Sequence, residues 1–463
     1  MSTFKSFRGG LSRREFLKAT AAAAAAAAVG SLPSFEVFAK PTQKISGELK
    51  ILQWSHFVPN HDTWFDKWAM EWGNQNGVTV TVDHINNADI PARATAEINA
   101  KEGHDLIEYI FPPSALEPSV LDLTDVNEEA AKRHGTQVDL CKRATYNPVT
   151  NKYFGFSHGW VPDPGNYRKS LWEQVGLPNG PSTWDELYTG GKEIKDKLGV
   201  QMGIGMSNEI DSNMAGRGII WSFGGAEQDA DSNVTLNSPE TIAAVEYMKK
   251  LYEGAMTPEV FSWNAASNNQ LLVAGQASWI LNSISAFRTA QDNTDTAEVA
   301  KDIYFTGPLK GPNGLALVSE HLVPIYILPS HAKNPDAAKE FMLALVGNYN
   351  QVVYESKLYN FPAFFSTAPQ LMEDGGWLDN DPYGAGDKLK LLKDAESWST
   401  VIGHPGPAHA GIGEAFGTFV IPTMYAKAAK GEATAEEAVT EAHNEYVKLF
   451  DKWRAEGLVG GTK

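Results

Sequence analysis

From Gly47 onward, short apolar segments alternate with segments of helical period, and this alternation constrains the fold more than any other feature of the sequence. Leu49 to Trp54 is an apolar run that suits a buried strand, and a helix follows the loop at Pro59 and Asn60. Asn76 and Gly77 end that helix, and Val78 to Val82 is a β-branched second strand. A helix near Pro91 to Ala100 then leads to a third strand, Leu106 to Ile110. Strand, helix, strand, helix, strand predicts a parallel sheet covered by helices, an α/β fold in which ligands bind outside the carboxyl ends of the strands. That rule points to Trp54-Ser55-His56 and to Tyr109-Ile110-Phe111, with Glu108 beside them. In the first helix Trp64, Trp68 and Trp72 stand at i, i+4 and i+8, the spacing of rings that pack into a core.

A second αβ pattern follows a Pro- and Gly-rich stretch through Trp160, Pro162, Pro164 and Gly165, where the chain is expected to pass from one lobe to another. Val200 to Met206 reads as a strand, and Pro239 to Tyr252 as a helix capped by Ser238. Gln276 to Leu281 and Leu322 to Leu328 read as strands, and Asp336 to Val346 as a helix. The last helix opens at Thr434 with Glu437 three residues on, a capping box, and runs to about Trp453.

The first 39 residues read as an address. Arg13-Arg14-Glu15-Phe16-Leu17-Lys18, a weakly apolar alanine run from Ala19 to Val29, and the small-residue site Val37-Phe38-Ala39 resemble a twin-arginine export signal. The run is too short and too rich in alanine for a membrane span. No cysteine follows it, so a soluble product without a lipid anchor is expected.

Charge and cysteine content exclude other classes. With 39 Lys and Arg against 56 Asp and Glu the formal charge is −17, and removing residues 1–39 makes it three units more negative. No basic footprint for nucleic acid exists. The one cysteine, Cys141, rules out an internal disulfide, a Cys-ligated iron–sulfur cluster and a Cys-rich zinc site, and is expected to be a small buried hydrophobe.

Several motifs then carry a resemblance. Asn166-Tyr167-Arg168-Lys169-Ser170-Leu171-Trp172-Glu173-Gln174-Val175-Gly176-Leu177 followed by Pro181-Ser182-Thr183-Trp184-Asp185-Glu186-Leu187 is similar to "YNKDLFEEAGL" and "PPKTWDEL" of family 1 extracellular solute-binding proteins. Gly275 to Ser278 resembles "GKAAM", Ser330 to Leu345 resembles "SKNPEAAWEFLKFL", and Gly431 to Ala438 resembles "GKATPEEAL", in the same order. The resemblance covers nearly the whole chain after the signal. It implies a two-lobe periplasmic-binding-protein fold of type II, with a first lobe of 46–157 plus 319–365 and a second of 158–318 plus 366–463. It also implies capture of a sugar-like solute between the lobes, without chemistry or cofactor, and delivery to the membrane permease of an ABC importer. The expected partners are that solute, the permease and the twin-arginine machinery, with the protein a monomer.

Carried over by position, the resemblance makes Trp54, His56, Tyr109, Asn213 and Trp221 candidate solute contacts; His321 and Phe361, in loops near the expected cleft, and Glu108, Trp160, Asn282 and Arg288 are further candidates. Where the family has "GPW" after the strand at 276–281, this chain has Asn282-Ser283-Ile284-Ser285, which implies a smaller or more polar solute. A polyol, a sugar acid or a phosphorylated polyol is the alternative, and an anion would call on Arg217 and Arg288. Outside the binding class stand a metal enzyme, for which His56/His61 and His404/His409 lack further ligands, and a carbohydrate-cleaving enzyme using Asp163, Glu209 and Asp211.

Overall fold

The computed structural model describes residues 45–462; the export segment expected at 1–39 lies outside the described residues. Along the chain run β1 (Gly47–Trp54), α1 (Pro59–Asn76), β2 (Val78–Ile85), α2 (Ile90–Ala100), β3 (Leu106–Tyr109), β4 (Phe156–Ser157) and β5 (Gly165–Arg168). There follow α3 (Trp184–Leu198), β6 (Gln201–Gly203), α4 (Ile210–Phe223), α5 (Pro239–Ala255), β7 (Ala277–Leu281) and β8 (Ile303–Thr306). The chain closes with β9 (Ile325–Ile327), α6 (Pro335–Gly347), α7 (Ala410–Gly417), α8 (Val420–Lys430) and α9 (Ala435–Ala455).

These elements build two sheets. The first has the order β2-β1-β3-β9-β4, with β1 parallel to β2 and β3 and with β9 antiparallel to β3 and β4. The parallel order expected of the first three strands is present, and the antiparallel strand, β9, returns from the second half of the chain to sit between β3 and β4. The second sheet has the order β8-β5-β7-β6, with β7 parallel to β6 and antiparallel to β5. β6 and β9 are shorter than the apolar runs that announce them. Pro324 has no N–H to give, and the Val323 amide donates instead to the Ile110 carbonyl at 3.1 Å.

Local chemistry sets the helix ends. α1 starts with Pro59 at its first position and stops at Gly77, whose φ of 73° is left-handed. Its buried face is Phe65, Trp68, Ala69 and Trp72, packed on Phe341 of α6 with ring centroids of Trp68 and Trp72 each at 5.2 Å. Trp64, expected on that face, is half-buried and stacks on Trp68, because the i, i+3, i+4, i+7 stripe from Phe65 is the one turned inward. The Thr434–Glu437 box is complete, with both hydrogen bonds made. At α3 the Thr183 hydroxyl accepts from the Glu186 amide, but the Glu186 carboxylate reaches back one residue further, to the Ser182 amide at 2.7 Å. Cys141 is buried.

The segments that join the two sheets are tied to one another. Phe361–Pro362 pairs with Gly159–Trp160, the amides of Val161 and His321 exchange bonds with the carbonyls of Leu322 and Val161 at 2.8 Å, and Val318–Ser319 pairs with Ser399–Thr400. This seam places the carboxyl ends of β1–β3 against the loop after β6 and the start of α4.

Candidate functional site

A cavity of about 700 Å³ lies at those strand ends. Phe57 after β1, Asn86 and Asn87 after β2, Thr95 of α2, and Tyr109 to Pro113 after β3 form one wall. Asn208, Glu209 and Ile210 at the start of α4, Trp263 to Ala266, and Phe416 and Phe419 around the end of α7 form the other. The rings are held edge-on and face-on: Tyr109 meets Phe111 at 5.7 Å and 88°, and Phe111 lies on Phe416 at 4.6 Å and 33°. A side chain at Gly203 of β6 would run into the Trp263 ring, so that glycine leaves room for it. Phe419 has φ 56°, a left-handed backbone that holds its ring at the cavity. Among the described residues that line the cavity none is Lys, Arg or His, and Glu209 is the one carboxylate.

Behind the cavity is a buried polar seam. His321 Nδ1 lies 3.1 Å from Asp163 Oδ1, with His321 2% exposed. Burial alone would lower the imidazole's pKa, but Asp163, Asp211 and Glu209 together hold it above its ordinary value. Asp211 Oδ2 accepts from the Asn268 amide at 2.8 Å and the Asn282 amide at 3.0 Å, and burial pushes its carboxyl up to about 6. Glu209 caps α4, its two oxygens accepting from the amides of Asp211 at 2.7 Å and Ser212 at 2.6 Å. Burial, and then the Asp211 charge, push Glu209 up to about 8. His56 Nε2 is 3.4 Å from Asn360 Oδ1, and burial, followed by repulsion from His61, lowers its pKa to about 3, so it is neutral.

The eleven residues expected at the site therefore fall into distinct places. Tyr109 lines the cavity. Trp54 is buried beneath it, against His56 at 4.7 Å and Phe57 at 5.3 Å. His56, Asn282 and His321 belong to the seam. Asn213 donates to the Phe416 carbonyl at 3.0 Å and accepts from Arg217 at 2.7 Å, so it fixes the backbone of a cavity ring. Glu108 lies at 2.7 Å from His158, just past β4, and Trp160 and Phe361 pack together at 5.3 Å in the crossing segments. Trp221 is buried edge-on to His404 at 5.7 Å. Arg288 is bound to Asp381 at 2.7 and 3.0 Å and to the Lys357 carbonyl at 2.8 Å, and Arg217 pairs with Glu227 at 2.9 Å, so neither guanidinium is directed to the cavity.

Several cavity residues went unread in the sequence. The strand-end rule reaches Phe111, but Trp263, Phe416 and Phe419 sit in segments without any periodic or motif signal. Of Asp163, Glu209 and Asp211, noted only as carboxylates an enzyme could use, Asp163 and Asp211 are engaged in the seam and Glu209 stands at the cavity wall. Among the described residues no group of three or more His, Cys, Asp or Glu side chains is arranged to hold a metal ion, and no helix is long and apolar enough to cross a membrane.

The sequence profile of the family described as bacterial extracellular solute-binding protein matches residues 59–352, well over half of the chain, and the profile of the twin-arginine translocation signal matches residues 10–30. A protein of Brucella abortus (strain 2308) named as a binding protein is 25% identical over 173 residues, 37% of this chain; the match spans 35%, about a third, of that relative's length. Among solved structures, maltose-bound MalE3 of T. maritima superposes with a TM-score of 0.70 at 19% identity over 87% of this chain and 100% of its own. A sugar transporter protein of Arthrobacter chlorophenolicus A6 with bound laminaribiose gives 0.70 at 18% over 87% and 98%. An ABC transporter solute-binding protein of Agrobacterium radiobacter K84 in complex with ribitol gives 0.68 at 18% over 89% and 100%. At these identities the likeness establishes the fold, a two-lobe periplasmic-binding-protein architecture.

Proposed function

This chain belongs to the family of bacterial extracellular solute-binding proteins, and on that premise we propose that it is an exported receptor. It captures a sugar-like solute between its lobes, leaves it chemically unaltered and hands it to the membrane permease of an ABC importer. The observation that carries this reading is the cavity of about 700 Å³ with rings on both walls and Asn86, Asn87, Asn208, Asn264 and Glu209 among them. A sugar has apolar C–H faces and a rim of hydroxyls, and that combination of flat rings with fixed amide and carboxylate partners matches both. Micromolar affinity, about −8 kcal/mol, is reached if each stacked ring adds on the order of 1 kcal/mol.

The lobes of this reading are 46–157 plus 319–365 and 158–318 plus 366–463. In support, every strand of the first sheet falls in the first set and every strand of the second sheet in the second. Tyr109 meets the solute directly, His56, Asn282 and His321 hold the lobes in register beside it, and Asn213 positions Phe416. The signal at 10–30 sends the protein through the twin-arginine machinery to the periplasm, where it acts as a monomer.

A polyol is the second reading, favoured by the ribitol held in one similar structure. The cavity walls, with neither Lys nor Arg, speak against a sugar acid or a phosphorylated polyol. A thermal-shift screen over sugars, polyols and sugar acids tests the reading: a captured solute raises the melting temperature by mass action. Small-angle scattering should show compaction with the same solute, since only contact with both lobes shifts their equilibrium. Conversion of a saccharide into product, or a melting shift with divalent metals alone, overturns it.

A further inference from the structure

The charge around the cavity is one-sided. Glu209 stands on its wall, and Asp211 and Asp163 stand behind it, yet His321 is the one cationic side chain that pairs with any of the three among the described residues. The bonds to Glu209 come from two backbone amides and the Ser212 hydroxyl, and those to Asp211 from two asparagine amides, so dipoles rather than charges offset them. Tyr109 and Phe111 stand on the wall opposite Glu209, and Trp263, Phe416 and Phe419 stand on its own side, where the Phe416 ring already carries the Arg217 guanidinium at 5.0 Å. Aromatic faces attract cations through their quadrupole, and a carboxylate in a low-dielectric pocket attracts them more strongly.

We propose that the preferred solute is an amine-bearing sugar or polyol, whose protonated nitrogen sits at Glu209 and whose ring or chain lies on the aromatic walls. This rests on the solute-capture reading above and names its substrate class. An ammonium at Glu209 donates up to three hydrogen bonds, and its charge favours the ionised form of a carboxyl that burial keeps largely protonated in the empty site, so binding releases that proton. The same arrangement repels carboxylate- and phosphate-bearing analogues.

The test is isothermal titration calorimetry on the exported chain at pH 7.5 with matched probes: glucosamine against glucose, chitosan disaccharide against cellobiose, and 1-amino-1-deoxysorbitol against sorbitol. At least one amine is expected to bind tenfold or more tightly than its hydroxyl partner. Glu209→Gln is expected to erase that preference and Glu209→Asp to keep part of it, with thermal melts confirming that both variants fold. Equal or tighter binding of the hydroxyl partners, or a preference that survives in Glu209→Gln, overturns the amine proposal and leaves solute capture standing. Failure of every probe in both sets to bind overturns the proposal and counts against capture as well.

Discussion

The aromatic cavity and the polar seam behind it are built from the same two lobes, a few residues apart in sequence, yet they are made of opposite materials. Ile210 and Glu209 face the cavity, whereas Asp211, next along α4, turns into the seam and is bound by Asn268 and Asn282. The cavity keeps flat rings around open space, and the seam has its polar atoms largely committed to one another. The difference teaches that recognition and lobe register are separate physical tasks. Open apolar walls stay available to a solute, whereas buried charges must be paired before the lobes can meet. Changes in the seam should therefore read out as stability, and changes in the cavity as affinity.

The largest expected effect lies in the seam. Asp163→Ala leaves the buried His321 without its partner and should cost about 3 kcal/mol of unfolding free energy, measured by urea denaturation of the ligand-free protein. A cost below about 1 kcal/mol would erase the distinction between the two regions. Trp263→Ala should lower solute affinity about tenfold, roughly 1.4 kcal/mol, while moving the melting temperature little, since the ring stands half-buried at the cavity wall.

The pH dependence sharpens the comparison further. Asp163, Asp211 and Glu209 are raised by burial, and His321 is raised by the carboxylates around it. A group whose pKa is higher in the folded than in the unfolded chain gives stability that is complete below the unfolded value and lost as pH rises through the folded one. All four act in the same direction. Neutral buried His56 opposes them below about pH 6.5, so the melting temperature of the ligand-free protein should fall from about pH 6.5 to about pH 8, where Glu209 titrates. Glu209→Gln should flatten the upper part of that fall. A ligand-free melting temperature that rises across this range would contradict the seam chemistry.

The smallest effect comes from α7. A Cβ at Gly413 would stand 2.5 Å from Ser114 Oγ and 3.3 Å from the Pro112 carbonyl, where the helix meets the loop after β3. Gly413→Ala should change stability by under about 1 kcal/mol, because the gain in helix propensity offsets the contact. It should still weaken solute binding about threefold by holding that wall back, as calorimetry would report.

Much of the fold was legible because its signals are local. The strands β1–β3, the caps at Ser238 and Thr434 and the proline starts of α1 and α5 follow from nearest neighbours in sequence. Tyr109 was legible as a cavity residue because the end of a parallel strand is defined by the strand itself. Trp263, Phe416 and Phe419 were not, since what makes them a wall is packing: Gly203 clears space for one ring, and Asn213 and Arg217 anchor the backbone and face of another. Arg288 misled for the same reason, as its partner Asp381 lies far along the chain.

The amino-acid sequence by itself determined the acidic balance, which is a sum over the chain, and the α/β alternation, the export signal and the family motifs, because each of these is carried by residues near one another in sequence. Tertiary structure alone decided which carboxylates are buried against a single imidazole and which rings surround the open space. Those outcomes depend on contacts between segments separated by tens to hundreds of residues, and no local pattern encodes the distance between them.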